Sequence, residues 1–248
     1  MRMKNRILSQ SIIAAVLCLI SSQLLAIPAL QLGPGSPTSD WNYDTTTQTW
    51  VLNGFGQVAA YANASDGNGD YAWATTGTDQ VAYLVASAVP KTNQTDGDVF
   101  NITVKNDGAA LALFDSGYGN PPIEDSNSMA SHGIYSTWFE IYKFNFDGSP
   151  TTIADTQPGE TGTGSGFEEF FDVTLNSILP EIEGIHFDLF TVSGDGNYTL
   201  GSLDKNLVEA VAPFSHDATM NVPEPGSLAL MGIGLLGLGF SQRKRLNK

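Results

Sequence analysis

The chain is poor in basic residues and in cysteine, and each shortage excludes a class of function. Its 248 residues include 11 Lys+Arg against 26 Asp+Glu, which gives a formal net charge of −15. The segment 27–242 contains no arginine and only four lysines, whereas all of the acidic residues lie between Asp40 and Glu224. Because such an acidic body repels phosphate backbones, nucleic-acid binding is excluded.

The one cysteine, Cys18, lies in an apolar stretch near the N-terminus. A disulfide framework and a cysteine-ligated zinc site are therefore excluded for the body of the protein. The bulky Leu17 immediately before it argues against a lipoprotein signal, because that signal needs a small residue at this position. We do not expect a lipid anchor at Cys18.

Residues 1–26 have the three parts of a secretory signal. Three basic residues precede an apolar run at 12–20, and a polar-to-small stretch ends at Ala26. The apolar run is shorter than the roughly 20 residues that a membrane span needs. We therefore predict an N-terminal signal helix that signal peptidase removes after Ala26.

The C-terminal segment, residues 221–248, combines a short motif, an apolar stretch and a basic end. The motif occupies 222–226, the apolar stretch 227–240 and the basic tail 243–248. Clusters of Lys and Arg stay on the cytoplasmic side of a membrane, so both ends of the chain belong inside and the acidic body belongs outside. The apolar stretch is short and rich in glycine, which favours a transient membrane helix that is later removed.

This segment resembles the PEP-CTERM sorting signal. The resemblance is carried by the sorting motif and by the basic membrane stop, which are Pro223, Glu224, Pro225, Arg243, Lys244 and Arg245. It implies that the chain is a substrate of an exosortase, a transpeptidase-like membrane cysteine protease, in a Gram-negative bacterium that makes exopolysaccharide. We expect an exported chain, transiently anchored in the inner membrane, that then reaches the cell surface or the extracellular matrix.

The body, residues 27–220, is predicted to be a single all-β domain. Short runs alternate apolar and polar residues between clusters of Gly, Asn, Asp, Ser and Pro, and helical periodicity is nearly absent. The predicted strands are Gln57–Ala62, Tyr71–Thr75, Gln80–Ala88, Asp98–Lys105, Ala110–Asp115, Tyr135–Phe146, Phe167–Leu175, Gly184–Val192 and Tyr198–Leu203. So many strands cannot all bury a face in one flat sheet, so we predict a two-sheet antiparallel β-sandwich, with a jelly roll as one candidate topology. Residues 214–221 are interpreted as a short spacer.

The body also resembles the choice-of-anchor N proteins. The landmarks are the segments at 27–32, 43–44, 131–135, 184–189 and 212–218. The resemblance implies a bacterial surface domain that recurs with different C-terminal anchors. It supplies no activity and no catalytic residues.

The three histidines, His132, His186 and His216, are candidates for polar chemistry. His186 and Asp188 are two residues apart on a predicted strand and so share a face, where the carboxylate would orient the imidazole or join it as a metal ligand. The alternative is a structural role through hydrogen bonds. His216 and Asp217 are adjacent and are expected to point to opposite faces.

The loop with Asp66, Asn68 and Asp70 begins like a calcium-binding loop, since oxygen ligands stand at positions one, three and five. Tyr71 and Gly77 occupy the positions where an EF-hand needs Gly and Glu, so an EF-hand is excluded. A looser calcium site and a plain Asx-rich turn both remain open. No cofactor other than calcium is indicated.

Three functions are considered for the domain. The leading one is a non-enzymatic surface or matrix protein that is structural or adhesive in exopolysaccharide or biofilm. The alternative is a carbohydrate-binding module that recognises exopolysaccharide through exposed aromatic residues, and burial of all four Trp would contradict it. A secreted hydrolase would need convergent carboxylates or histidines, and the contiguous Ser215, His216 and Asp217 cannot form a catalytic triad because neighbouring side chains diverge.

Overall fold

The computed structural model describes residues 29–64, 81–90, 92, 99–119, 137–147, 149–192, 208–213 and 216–222. These segments form fourteen strands and one short 3₁₀ turn, Thr38–Asp40, and they contain no α-helix. The strands are β1 (Leu30–Pro34), β2 (Trp41–Asp44), β3 (Thr49–Asn53), β4 (Gln57–Asn63), β5 (Val81–Val89), β6 (Phe100–Asn106), β7 (Ala109–Ala110), β8 (Leu113–Gly119), β9 (Thr137–Asn145), β10 (Thr151–Ala154), β11 (Thr163–Ile178), β12 (Gly184–Val192), β13 (Val208–Val211) and β14 (Ala218–Asn221).

The strands are arranged in two sheets. The six-stranded sheet has the order β1-β4-β11-β6-β7, with β10 beside β11. The eight-stranded sheet has the order β2-β3-β14-β12-β5-β9-β8, with β13 beside β12. The all-β, two-sheet prediction is confirmed. The expectation of purely antiparallel pairing is wrong at one place, because β14 and β3 are parallel.

One hydrophobic core lies between the two sheets, and strand alternation builds it. Ile185, Phe187 and Leu189 point inward from β12, while Phe171 is an inward residue of β11. Across the interface the rings of Phe144 and Phe171 meet edge to face, with centroids 4.7 Å apart. Such a packed aromatic pair joins the sheets directly.

The eight-stranded sheet is also buried on its outer face. A second apolar cluster there comprises Tyr83, Val85, Phe139, Ile141 and Phe190. The rings of Tyr83 and Phe190 stack with centroids 4.9 Å apart. Burial on both faces explains why β5 is a nearly continuous apolar run, which is unusual for a strand of a half-exposed sheet.

Most of the longer predicted strands are present, and their bounds differ by a few residues. The prediction for Gly184–Val192 is confirmed at both ends. The single strand predicted at Ala110–Asp115 is wrong, because the chain breaks there into β7 and β8 on different sheets. The strands predicted at 71–75 and 198–203 lie outside the described residues. Six strands were not predicted, namely β1, β2, β3, β10, β13 and β14.

The interpretation of residues 214–221 as a spacer is wrong for its last four residues. Ala218–Asn221 form β14, which lies between β3 and β12 inside the eight-stranded sheet. The backbone N–H of Val222 also donates to the carbonyl of Glu183, at 2.7 Å. A boundary at residue 220 therefore falls within a strand. The four residues of β14 are too few for their alternation of apolar and polar side chains to distinguish a strand from a polar linker.

The predicted signal helix and C-terminal apolar helix both lie outside the described residues. Within the described part of the chain, no helix has the length and apolar character needed to cross a membrane.

Candidate functional site

Polar side chains from two neighbouring strands meet on the outer face of the eight-stranded sheet. His186 and Asp188 alternate with the inward residues of β12, so both face outward. The antiparallel pairing of β12 with β14 sets His186 opposite Thr219 and Phe187 opposite Ala218. This register brings Asp217, the residue before β14, next to Asp188.

These residues form a compact cluster around the imidazole of His186. Its Nε2 atom lies 3.4 Å from Oδ1 of Asp188 and 3.4 Å from Oδ2 of Asp217. Its Nδ1 atom lies 2.9 Å from the hydroxyl oxygen of Thr219. The histidine side chain is 14% exposed and the two aspartates only 2% and 1%. We call His186, Asp188, Asp217 and Thr219 the histidine cluster.

Burial and charge act in opposite directions on the imidazole of the histidine cluster. Burial by itself disfavours the charged ring, but the adjacent carboxylates of Asp188 and Asp217 raise the pKa of His186 well above its usual value. Burial raises the pKa of Asp217, against the opposing influence of His186. The cluster thus concentrates ionisable groups where water is nearly excluded.

His216 does not pair with its sequence neighbour Asp217. Its Nε2 atom lies 2.8 Å from Oδ1 of Asp155, and both side chains are buried. Asp155 follows β10 of the six-stranded sheet, and it also accepts a hydrogen bond from the backbone N–H of Gln157. The adjacent residues His216 and Asp217 thus contact different partners, Asp155 and His186. The pair connects the two sheets.

A second group of carboxylates gathers where the β6–β7 turn meets the end of β9. Asp107, Asp147 and Glu169 place their oxygens within 4.8 Å of one another. Glu169 is buried and accepts hydrogen bonds from the side chain of Asn106 at 2.7 Å and from the backbone N–H of Asp147 at 3.0 Å. Burial raises the pKa of Glu169, and the charges of Asp147 and Asp107 add to this effect. This arrangement suits a structural role, because both oxygens of Glu169 are already hydrogen-bonded.

The sequence shows only part of this second group. Asn106-Asp107-Gly108 is a tight-turn signature, and Asp107 and Gly108 both have positive φ angles of 48° and 79°. Of the adjacent residues Glu168 and Glu169 of β11, only Glu169 is buried, because successive side chains of a strand point to opposite faces. Nothing in the sequence indicates that Asp147 lies beside them.

The described tryptophans do not form a binding surface. Trp41 and Trp138 are buried in the core. Trp50 is half-buried, and its indole N–H donates to the carbonyl of Thr156 at 3.0 Å. Among the described residues the large exposed aromatic side chains are Tyr118 and Phe170, which lie on different sheets.

Several predicted site residues lie outside the described residues. They are His132, Trp73, the loop residues Asp66, Asn68 and Asp70, the sorting motif Pro223, Glu224 and Pro225, and the basic stop Arg243, Lys244 and Arg245. Sequence reasoning placed His186 and Asp188 together but did not find Asp217 or Thr219 as their partners. Only the pairing of β12 with β14 reveals them.

The C-terminal segment has a recognisable function. Residues 221–244 match the family model of the PEP-CTERM protein-sorting motif. This is a sorting signal. It indicates that the chain is an exported protein that an exosortase sorts to the cell surface. The matched segment covers about a tenth of the chain. No curated protein sequence is similar to the chain as a whole.

Proposed function

We propose that this chain is a non-enzymatic surface or matrix protein, whose acidic β-sandwich has a structural or adhesive role in exopolysaccharide or biofilm. The main support is the position of the sorting motif. Asn221 is both the last residue of β14 and the first residue of the matched motif. The sorting signal therefore follows the folded domain without a linker, so the domain itself is what the sorting signal delivers.

The charge of the body also supports this role. The acidic residues between Asp40 and Glu224 are accompanied by only four lysines. A domain with a large net negative charge stays hydrated and repels other copies of itself. This property suits a component of a swollen matrix in a Gram-negative bacterium. The resemblance to choice-of-anchor N proteins points the same way.

The histidine cluster does not favour a hydrolase. Asp188 and Asp217 are almost completely buried, at 2% and 1% exposure, so a polymer substrate has no direct access to their oxygens. A general acid or base must come within hydrogen-bond reach of the reacting group. A carbohydrate-binding role is also less favoured, because Trp41 and Trp138 are buried and the half-buried Trp50 has its indole N–H bonded to Thr156.

The test uses the full chain, expressed in an exosortase-containing bacterium from which the native gene has been deleted. The variant carries Pro223→Ala, Glu224→Ala and Pro225→Ala. We expect wild type to be labelled by antibody on intact cells and to restore biofilm cohesion. The variant should stay in the membrane fraction at its unprocessed mass and should not restore cohesion.

The matched control is another Pro-Glu pair of the same chain. Pro180 and Glu181 lie in an exposed turn of the folded domain, and changing both to Ala should leave sorting and cohesion unchanged. Wild-type protein that reaches the surface without any effect on cohesion would contradict the structural role. Hydrolysis of exopolysaccharide by the purified chain would contradict the non-enzymatic assignment.

A further inference from the structure

We propose that His186, Asp188 and Asp217 form a binding site for a divalent transition-metal ion of the Zn²⁺ class. The inference concerns the same domain, but it does not depend on the proposed surface role. It adds a third ligand, Asp217, to the pair that the sequence places on one strand.

The distances from Nε2 of His186 to the two aspartates fit ligands of a shared metal ion better than hydrogen bonds. A charge-assisted N–H···O hydrogen bond has a length of about 2.7–2.9 Å. The Nε2 atom of His186 lies 3.4 Å from an oxygen of each aspartate, which is too long for either contact to be such a bond. A tetrahedral zinc ion with bonds of about 2.0–2.2 Å separates neighbouring ligand atoms by about 3.4 Å.

The ring of His186 is also oriented in the way that is typical of metal-binding histidines. Its Nδ1 atom and the hydroxyl of Thr219 are 2.9 Å apart, a hydrogen bond that fixes the plane of the ring. When Nδ1–H donates to this hydroxyl, the lone pair of Nε2 points between the two carboxylates. Ligand histidines commonly use their second nitrogen in this way, which sets the tautomer and the ring orientation.

The Nε2 atom provides an independent indication of a ligand. It is buried, and neither of its 3.4 Å contacts with the carboxylate oxygens is a well-formed hydrogen bond. Buried polar atoms of native proteins are nearly always satisfied, so an exception calls for an explanation. A cation between Nε2 and the two carboxylates would satisfy it.

Charge and ligand type define the class of ion. With a metal ion in place of the ring proton, the two carboxylates and a neutral imidazole would carry two negative charges in a nearly dry site, which a divalent cation neutralises. An imidazole nitrogen with two carboxylate oxygens suits Zn²⁺ and its neighbours, whereas Ca²⁺ takes oxygen ligands. With three protein ligands, a fourth position stays open for water.

The experiment uses metal-depleted full chain, without a histidine tag and in mild detergent. Zn²⁺ is titrated calorimetrically, and Co²⁺ is titrated while the visible absorption is recorded. We expect one Zn²⁺ per chain and an intense Co²⁺ band typical of tetrahedral coordination. Absence of saturable one-to-one binding by the wild-type chain overturns the proposal, since a protonated His186 bridging the carboxylates would then account for the cluster.

Three variants locate the ion. His186→Gln should abolish one-to-one binding, and Thr219→Val should weaken it by about 10- to 100-fold by releasing the ring. His216→Gln is the matched control, because its side chain faces Asp155, and it should bind Zn²⁺ like wild type. Each variant is checked for folding by circular dichroism. Full binding by folded His186→Gln protein, or equal loss in His186→Gln and His216→Gln, would overturn the assignment.

Discussion

Glu140 is a carboxyl group on the inward-facing side of β9, where neighbouring side chains are apolar. It is 7% exposed, and the hydroxyl of Tyr142 donates to it at 2.5 Å. Burial raises the pKa of Glu140, and the hydrogen bond from Tyr142 opposes this only in part. A single residue thus makes the stability of the domain depend on pH.

The sign of this dependence follows from linkage. The folded pKa lies above the ordinary value of 4.5, so the folded state holds the proton more tightly than the unfolded state does. The resulting stabilisation is fully present below the unfolded pKa and is lost as the pH rises through the folded pKa. Stability attributable to Glu140 therefore falls toward neutral pH.

Glu140→Gln should remove this loss, because glutamine stays neutral and its carbonyl still accepts from Tyr142. We expect the free energy of unfolding of the variant, relative to wild type, to increase between about pH 4 and about pH 7. Urea denaturation at a series of pH values measures it. The exposed Glu181→Gln is the control and should change stability by less than about 0.5 kcal/mol at every pH. A difference that stays constant with pH would refute the prediction.

At the scale of elements, β14 is a short strand with a large structural effect. Its four residues pair with β12 on one side and in parallel with β3 on the other. Ala218 and Met220 are fully buried in the core, and between them Thr219 contributes its hydroxyl to the histidine cluster. One strand therefore contributes both to the core and to the candidate metal site.

Met220→Ala should destabilise the domain by about 2–5 kcal/mol, because truncating a buried side chain loses apolar burial and leaves a cavity. Chemical denaturation of the full chain measures the change. Met231→Ala, in the apolar stretch 227–240, is the matched control and should leave the unfolding of the domain unchanged. Equal stability of the two variants would restore the interpretation of residues 214–221 as a spacer.

At the scale of the whole molecule, a buried polar pair connects the two sheets. Asp155 follows a strand of the six-stranded sheet, and His216 precedes a strand of the eight-stranded sheet. Their contact at 2.8 Å lies where both side chains are almost completely excluded from water. Removing either partner leaves a buried polar group without its match, which costs far more than losing an exposed pair.

A double-mutant cycle tests this connection. We expect Asp155→Ala and His216→Ala each to lower the free energy of unfolding by about 3 kcal/mol. The double variant should lose less than the sum, with a coupling energy of about 1–3 kcal/mol. Additive effects would show that the pair does not stabilise the packing of the sheets.

The sequence predicted the long strands better than the short ones. β12 has nine residues with strict alternation of its inward positions, and its bounds were found without error. β11 begins four residues before the predicted Phe167, because Thr163–Gly166 contain no apolar side chain and are held by pairing with β10. The four-residue strands β2, β10, β13 and β14 contain too few alternations to be recognised.

In the candidate site too, the sequence predicts only those neighbours that lie close together along the chain. His186 and Asp188 are two residues apart, so the period of a strand is enough to place them on one face. Asp217 and Thr219 are about thirty residues further along the chain. No local pattern links them to β12, and only the register between β12 and β14 does so.

The sequence by itself determined the all-β class, the acidic body and the sorting signal, because alternation, charge and a short linear motif are properties of neighbouring residues. The tertiary structure decided which strands are neighbours, and with them the partners of His186 and His216. Strand order depends on how distant segments bury apolar surface together. Because this free energy comes from long-range contacts, no short stretch of sequence predicts the strand order.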